Sequence, residues 1–149
     1  MERKRADFIM KKYHIVPLLW SFTFLSIFFW FNNFQQNWIY FTGLAINILG
    51  LFIWWSAKVK LAENWYPGWG QPKIKKLITG GVYSKICHPI YWGINLTLIG
   101  ISLIHPNIYL IIPSMAIIAY FFWRMKIETK FLIKTLGKRY LDYKDKTWI

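Results

Sequence analysis

Two clusters of polar residues in this chain could do chemistry beside long apolar segments. One cluster lies within residues 80–91, contains His88 and stands directly before an apolar stretch. The other contains Arg124 and Glu128, which are four residues apart and would share one face of a helix. A carboxylate and a guanidinium at this spacing could hold the cationic and anionic groups of a zwitterionic ligand. A simple ion pair, or an Arg side chain that reaches lipid headgroups, is the plainer interpretation.

The His88–Pro89 pair marks the start of a helix. Proline is favoured in the first turn because its missing N–H would have no partner there. His88 would then either cap the helix or donate to a ligand at the helix N-terminus, where backbone N–H groups favour anions. Cys87 is the only cysteine, so there is no internal disulfide and no CxxC motif. The three histidines are scattered, and we expect no metal site.

The composition indicates a membrane protein. Hydrophobic residues make up 56% of the 149 residues and aromatic residues 21%, with ten Trp and twelve Phe. One small soluble core could not bury so many large apolar side chains, and those left exposed would cause aggregation. A surface that faces lipid removes this conflict.

Four apolar segments are predicted to position the polar clusters, at residues 15–31, 38–57, 90–104 and 108–123. The first two approach the roughly 20 residues that a membrane-spanning helix needs. The last two are shorter and are separated only by residues 105–107, so we expect a tight helical hairpin. The predicted fold is all-α and polytopic, with about four transmembrane helices and a C-terminal amphipathic cytoplasmic helix. We expect one domain, with two helices in residues 1–57 and the functional core in residues 58–149.

The distribution of charge predicts the topology. The chain carries 19 basic and 6 acidic residues, and every basic residue lies before residue 15, within residues 58–85 or from Arg124 onward. Four crossings place these three regions on one side, and the positive-inside rule makes that side cytoplasmic. We therefore expect an inner or plasma membrane protein with both termini and the active site cytoplasmic. Anionic headgroups are the natural counter-charge, and a nucleic-acid partner is not expected.

The ordered motifs of the second half of the chain resemble the isoprenylcysteine carboxyl methyltransferase family, which is related to the phospholipid methyltransferases. The motifs are KLITGGVY at 76–83, CHPIY at 87–91, Arg124 with Glu128, and LGKRYLDY at 136–143. They are similar in order and spacing to a G-[VI]-Y turn, an R-H-P-x-Y helix start, an R-x-x-x-E-E helix and a terminal F-G-x-x-Y-x-x-Y. The resemblance covers residues 75–144, about half of the chain.

This resemblance implies an integral membrane methyltransferase that uses S-adenosylmethionine. Residues before and within the turn would wrap the cofactor: Lys75, Lys76, Leu77, Ile78 and Tyr83. Residues at the helix N-terminus would contact it: His88, Pro89, Ile90 and Tyr91. Glu128 would meet the amino-acid portion of the cofactor, and Arg124 would be catalytic and face the methyl acceptor. Residues 137–143 would pack over the pocket as a lid.

The chain departs from the family pattern at two positions. Cys87 stands where the pattern has Arg, and Thr129 stands where it has the second Glu. The first change removes a cation that could hold an acceptor carboxylate or phosphate, and the second removes an anion near the positive charge of the cofactor. Cys87 is not expected to be a nucleophile, since methyl transfer from a sulfonium needs no covalent enzyme intermediate.

The expected reaction is direct methyl transfer to an amphiphilic or lipid-linked acceptor. A prenylcysteine-like carboxylate is favoured because a carboxylate needs no base, whereas an ammonium group must first lose a proton. N-methylation of a phospholipid amine is the alternative within this class. A non-catalytic membrane protein that retains the fold is the alternative outside it.

Overall fold

The computed structural model describes residues 38–61 and 77–148, and all but the first of these belong to one compact unit, Ile39–Ile149. The regular elements of these residues are all helical, and no strand occurs among them. They are, in order, α1 (Trp38–Leu61), a short 3-10 helix (Gly81–Ser84), α2 (Pro89–Ile104), α3 (Ile108–Leu136) and α4 (Lys138–Lys144). The all-α prediction is therefore confirmed for this part of the chain.

Two of these helices, α1 with 24 residues and α3 with 29, are long and apolar enough to cross a membrane. The apolar helix α2 has only 16 residues, which gives a length of about 24 Å at 1.5 Å per residue. The predicted segment at residues 15–31 lies outside the described residues. The number of four crossings therefore stays a prediction.

Two helix ends differ from the prediction. Helix α1 continues to Leu61 rather than ending at Ala57. Lys58 is accommodated within it because its side chain is 2% exposed and its Nζ lies 4.7 Å from the centroid of the Trp54 ring. Helix α3 continues past Trp123 to Leu136. The predicted C-terminal amphipathic helix is therefore the second half of α3, followed by the short α4.

Helices α1 and α2 approach each other backbone to backbone. A Cβ atom added to Gly93 would lie 2.6 Å from the backbone N of Trp54, and one added to Gly50 would lie 2.6 Å from the backbone N of Thr97. Such contacts between small residues are typical of helix packing in membranes. The buried amide of Asn47 donates from Nδ2 to the carbonyl oxygen of Thr97 at 3.2 Å, which adds a bond between the two helices.

Helices α2 and α3 are joined by residues 105–107, and Asn107 caps α3 by accepting from the backbone N–H of Tyr109 at 2.9 Å. The ring centroids of Tyr91 and Phe121 are 5.5 Å apart, and those of Trp92 and Phe122 are 5.7 Å apart. The first turn of α2 therefore lies beside the middle of α3, where the apolar sequence gives way to charge.

The C-terminal residues pack against the segment that precedes α2. Helix α3 ends at Gly137, whose φ of +56° lets the chain change direction. The buried residues Cys87, Tyr140 and Tyr143 then form a cluster with apolar side chains of α3. The hydroxyl of Tyr143 donates to the carbonyl oxygen of Tyr83 at 2.8 Å. Residues 140–148 are thereby fixed to residues 83–88.

Candidate functional site

His88 is at the centre of the candidate site. It occupies the N-cap position of α2, but its side chain makes no capping hydrogen bond. The imidazole instead reaches α3 and α4. Its Nε2 lies 2.8 Å from Oγ1 of Thr129 and 3.4 Å from the hydroxyl of Tyr140, and its Nδ1 lies 4.0 Å from Oε2 of Glu128. Of the two interpretations of His88, the simple helix cap is wrong.

The environment of His88 keeps its imidazole neutral at pH 7. Burial lowers the pKa of His88 below its usual 6.5, because a charged ring would lose its hydration. The carboxylate of Glu128 opposes this effect, and the ammonium of Lys144 adds to it. A neutral imidazole carries one N–H donor and one acceptor nitrogen, so each ring nitrogen has a distinct role here.

Tyr91 connects the two charged residues of α3. Its hydroxyl interacts with the carboxylate of Glu128 and with the guanidinium of Arg124. Its ring centroid lies 6.0 Å from that of His88. A carboxylate, a guanidinium, a phenol and a neutral imidazole therefore meet at the first turn of α2. Such a set can bind a ligand that carries both positive and negative groups.

The two positions at which the chain departs from the family pattern belong to one network. Sγ of Cys87 lies 3.1 Å from the hydroxyl of Tyr140, which lies 3.4 Å from Nε2 of His88. Thr129 contacts the same nitrogen. Burial raises the pKa of the Cys87 thiol and of the Tyr140 hydroxyl, so both stay protonated at pH 7. Position 87 therefore carries a neutral hydrogen-bonding group, and a nucleophilic thiolate is disfavoured.

The structure brings together four of the predicted site residues, His88, Tyr91, Arg124 and Glu128. Leu77 packs on the cluster of Cys87, Tyr140 and Tyr143. The remaining predicted residues are at least partly buried or outside the described part: Tyr83 and Pro89 are buried, Ile78 and Ile90 are half-buried, and Lys75 and Lys76 lie outside it.

Thr129 and Tyr140 are functional candidates that the sequence did not single out for this role. In the sequence, Thr129 stands out only by its departure from the family pattern, and Tyr140 only by its place in the predicted lid. Both contact His88 across 41 and 52 residues of sequence. The terminal tyrosine motif was a signal that Tyr140 matters, but nothing in the sequence indicated its partner.

Buried amides in the apolar helices were also missed. The side chains of Asn47 and Asn95 are at most 1% exposed. Asn95 has no hydrogen-bond partner for Nδ2 or Oδ1 among the described residues. Asn95 is one turn from Tyr91 along α2. Burial of an amide without a hydrogen-bond partner lowers the stability of the fold, so Asn95 is a position to test by substitution.

Comparison with known proteins identifies a family. A family model described as phospholipid methyltransferase matches residues 38–139. The match includes α1, α2 and α3, and it contains His88, Tyr91, Arg124 and Glu128. The match begins at residue 38, whereas the motif resemblance begins at residue 75 and does not include α1. No curated protein and no solved structure was found to match the chain.

Proposed function

The chain belongs to the phospholipid methyltransferase family, and we propose that it transfers a methyl group from S-adenosylmethionine to an amphiphilic or lipid-linked acceptor. The family implies a methyltransferase that is associated with the membrane and acts on lipid-type substrates. One observation supports cofactor binding at this place: the side chains of Glu128, Arg124 and Tyr91 lie together beside neutral His88.

The donor set fits the chemistry of the cofactor. S-adenosylmethionine carries a cationic sulfonium and a zwitterionic amino-acid portion. The Glu128 side chain is 36% exposed, so its carboxylate can take a positive group of a ligand that arrives from water. The first turn of α2 adds oriented N–H groups for an anionic group. Lys75, Lys76, Leu77, Ile78 and Tyr83, with Pro89 and Ile90, are proposed to complete the cofactor-binding wall.

Arg124 is proposed to orient the methyl acceptor. It directly follows Trp123, a 55% exposed aromatic residue at the end of the apolar part of α3. Exposed Trp residues are enriched at the membrane–water interface. The guanidinium would therefore lie where the polar group of an amphiphile lies, and its planar donors would hold a carboxylate or phosphate. The acceptor would arrive from the bilayer, and the cofactor from the cytoplasm.

Catalysis is proposed to depend on positioning and on exclusion of water. When bound, S-adenosylmethionine supplies a methyl group that the sulfonium already activates. The chain would align the acceptor through Arg124 and hold the cofactor through Glu128 and Tyr91. Residues 140–148, which are fixed to residues 83–88 by the Tyr143 bond, would cover the site from water.

A prenylcysteine-like carboxylate remains the favoured acceptor. Arg124 supplies a cation for it, and Nε2 of His88 is already hydrogen-bonded and so is not a free base. The second candidate is the amine of a phospholipid, and the description of the matching family favours it. An incubation of the protein in lipid with labelled cofactor distinguishes the two acceptors. A carboxylate acceptor gives a labelled base-labile ester, whereas an amine acceptor gives a labelled methylamine.

Calorimetric binding of S-adenosylmethionine to the purified protein tests the proposed cofactor site. Glu128→Gln keeps the shape but removes the charge, and we expect about 10- to 100-fold weaker binding, the equivalent of one charge-assisted hydrogen bond. Lys134→Gln, which removes a charge from an exposed position of α3 outside the proposed lid, is the control and should bind as the wild type does. Equal binding by wild type and Glu128→Gln, or binding by neither, would contradict the proposal.

A further inference from the structure

We propose that Thr129 and Tyr140 are positioning residues that hold the His88 imidazole in one neutral tautomer, with its proton on Nδ1. This role rests on the proposed function, because it concerns the charge of Glu128, the carboxylate proposed to meet the cofactor. The evidence is that the two ring nitrogens have different neighbours, a carboxylate near Nδ1 and hydroxyl groups near Nε2.

Nδ1 faces an acceptor. The carboxylate of Glu128 lies on this side of the ring, with Oε2 at 4.0 Å from Nδ1. An ionised carboxylate can only accept hydrogen bonds. A lone pair on Nδ1 would face this negative charge and be repelled, whereas an N–H dipole is attracted. The proton of the neutral ring therefore belongs on Nδ1.

Nε2 faces hydroxyl groups that can donate. Oγ1 of Thr129 lies at 2.8 Å, a short hydrogen-bond distance, and the hydroxyl of Tyr140 lies at 3.4 Å. With the proton on Nδ1, Nε2 is an acceptor, and the Thr129 hydroxyl donates to it. The hydroxyl of Thr135, six residues later on α3, instead donates to the carbonyl oxygen of Phe131 in its own helix.

The charged and titratable groups around the ring determine what would happen if it gained a second proton. Glu128 on α3 favours that proton, Lys144 on α4 opposes it, and burial opposes it most strongly. A cationic His88 would pair with Glu128 and neutralise the carboxylate. The neutral tautomer leaves the charge of Glu128 available for a cationic ligand, and its Nδ1–H dipole attracts the carboxylate across 4.0 Å. His88 then presents an N–H on the side of Glu128 and is not a general base.

Nitrogen-15 NMR of histidine-labelled protein in lipid nanodiscs, without cofactor, tests this role. The resonances of His88 are assigned by their loss in His88→Asn. At pH 7 we expect a protonated Nδ1 and an unprotonated Nε2 in the wild type. Thr129→Val removes the donor without changing the size of the side chain and should give a mixture of tautomers, and Thr129→Ser should restore the single form. Thr135→Val, the same change on the same helix, should leave the spectrum unchanged.

The same variants are then compared for binding of S-adenosylmethionine. We expect Thr129→Val to weaken binding about three- to tenfold, the loss that one neutral hydrogen bond produces, and Thr129→Ser to recover it. A wild-type ring protonated on Nε2 would overturn the role, even if Thr129→Val does not fold. Cofactor binding together with that other tautomer would leave the proposed function standing. The predicted tautomer in a protein that binds no cofactor would instead refute the proposed function alone.

Discussion

Gly93→Ala tests the close contact between α1 and α2 that positions the start of α2. A Cβ at this position would lie 2.6 Å from the backbone N of Trp54, 2.7 Å from its Cβ and 2.8 Å from the carbonyl oxygen of Gly50. Ordinary contacts of a Cβ begin at 3.4 Å. Since all three neighbours are backbone or Cβ atoms, no side-chain rotation relieves the overlap, and the two helices must separate by most of an ångström.

We expect this overpacking to lower the free energy of unfolding by about 1–3 kcal/mol. The assay is thermal unfolding in one detergent, followed by circular dichroism, in which such a loss lowers the melting temperature by several degrees. Gly80→Ala is the matched control. A Cβ there would meet only the flexible end of Lys60 at 3.5 Å, so its melting temperature should be that of the wild type. A Gly93→Ala protein as stable as the control would refute the backbone-to-backbone packing.

Three further predictions follow from the site and from the buried amides. Arg124→Ala should lower the rate of methyl transfer at least tenfold with little change in cofactor affinity, and an unchanged rate in a labelled-methyl assay would remove Arg124 from the acceptor role. Because burial lowers the pKa of His88 in the folded protein below 6.5, the unfolded chain binds the proton more readily. The contribution of neutral His88 to the free energy of unfolding should therefore be fully present above pH 6.5 and decrease as the pH falls below it. His88→Asn should remove this part of the pH dependence of unfolding. Asn95→Leu should raise the free energy of unfolding by about 1 kcal/mol, since it removes a buried amide without a partner among the described residues. Asn47→Leu should lower the free energy of unfolding, because it breaks the hydrogen bond to Thr97. Melting temperatures in the opposite order would contradict both assignments.

The helical fold and the family could be predicted because they depend on local signals. Pro89 marked the first turn of α2, and the structure begins the helix there. A shared face for Arg124 and Glu128 depends on the continuation of α3 beyond the apolar segment, and residues 114–136 of α3 contain no Gly or Pro that would end it. The ordered motifs at residues 76–143 pointed to a methyltransferase family, and the family match confirms that prediction.

The partners of His88 could not be predicted, because they depend on how separate helices pack. Nothing in the local sequence says that Thr129 and Tyr140 face the same ring nitrogen. The departures at positions 87 and 129 looked like two independent losses of charge. The structure shows that they meet in one neutral network through Tyr140 and His88. The burial of Lys58 within α1 also could not be predicted from the apolar pattern, since it depends on the contact of its ammonium group with the Trp54 ring.

Methyl transfer by the protein in lipid nanodiscs shows whether the start of α2 forms a methyltransferase site. The measurement is the label recovered in the lipid fraction after incubation with S-adenosylmethionine that carries a labelled methyl group, with a membrane lipid extract and a prenylated cysteine as the sources of acceptor. We expect label in that fraction with wild type and with Lys134→Gln, and at least a tenfold loss with Glu128→Gln at limiting cofactor. Label that is absent with wild type, or equal with Glu128→Gln, would contradict a methyltransferase site at the start of α2.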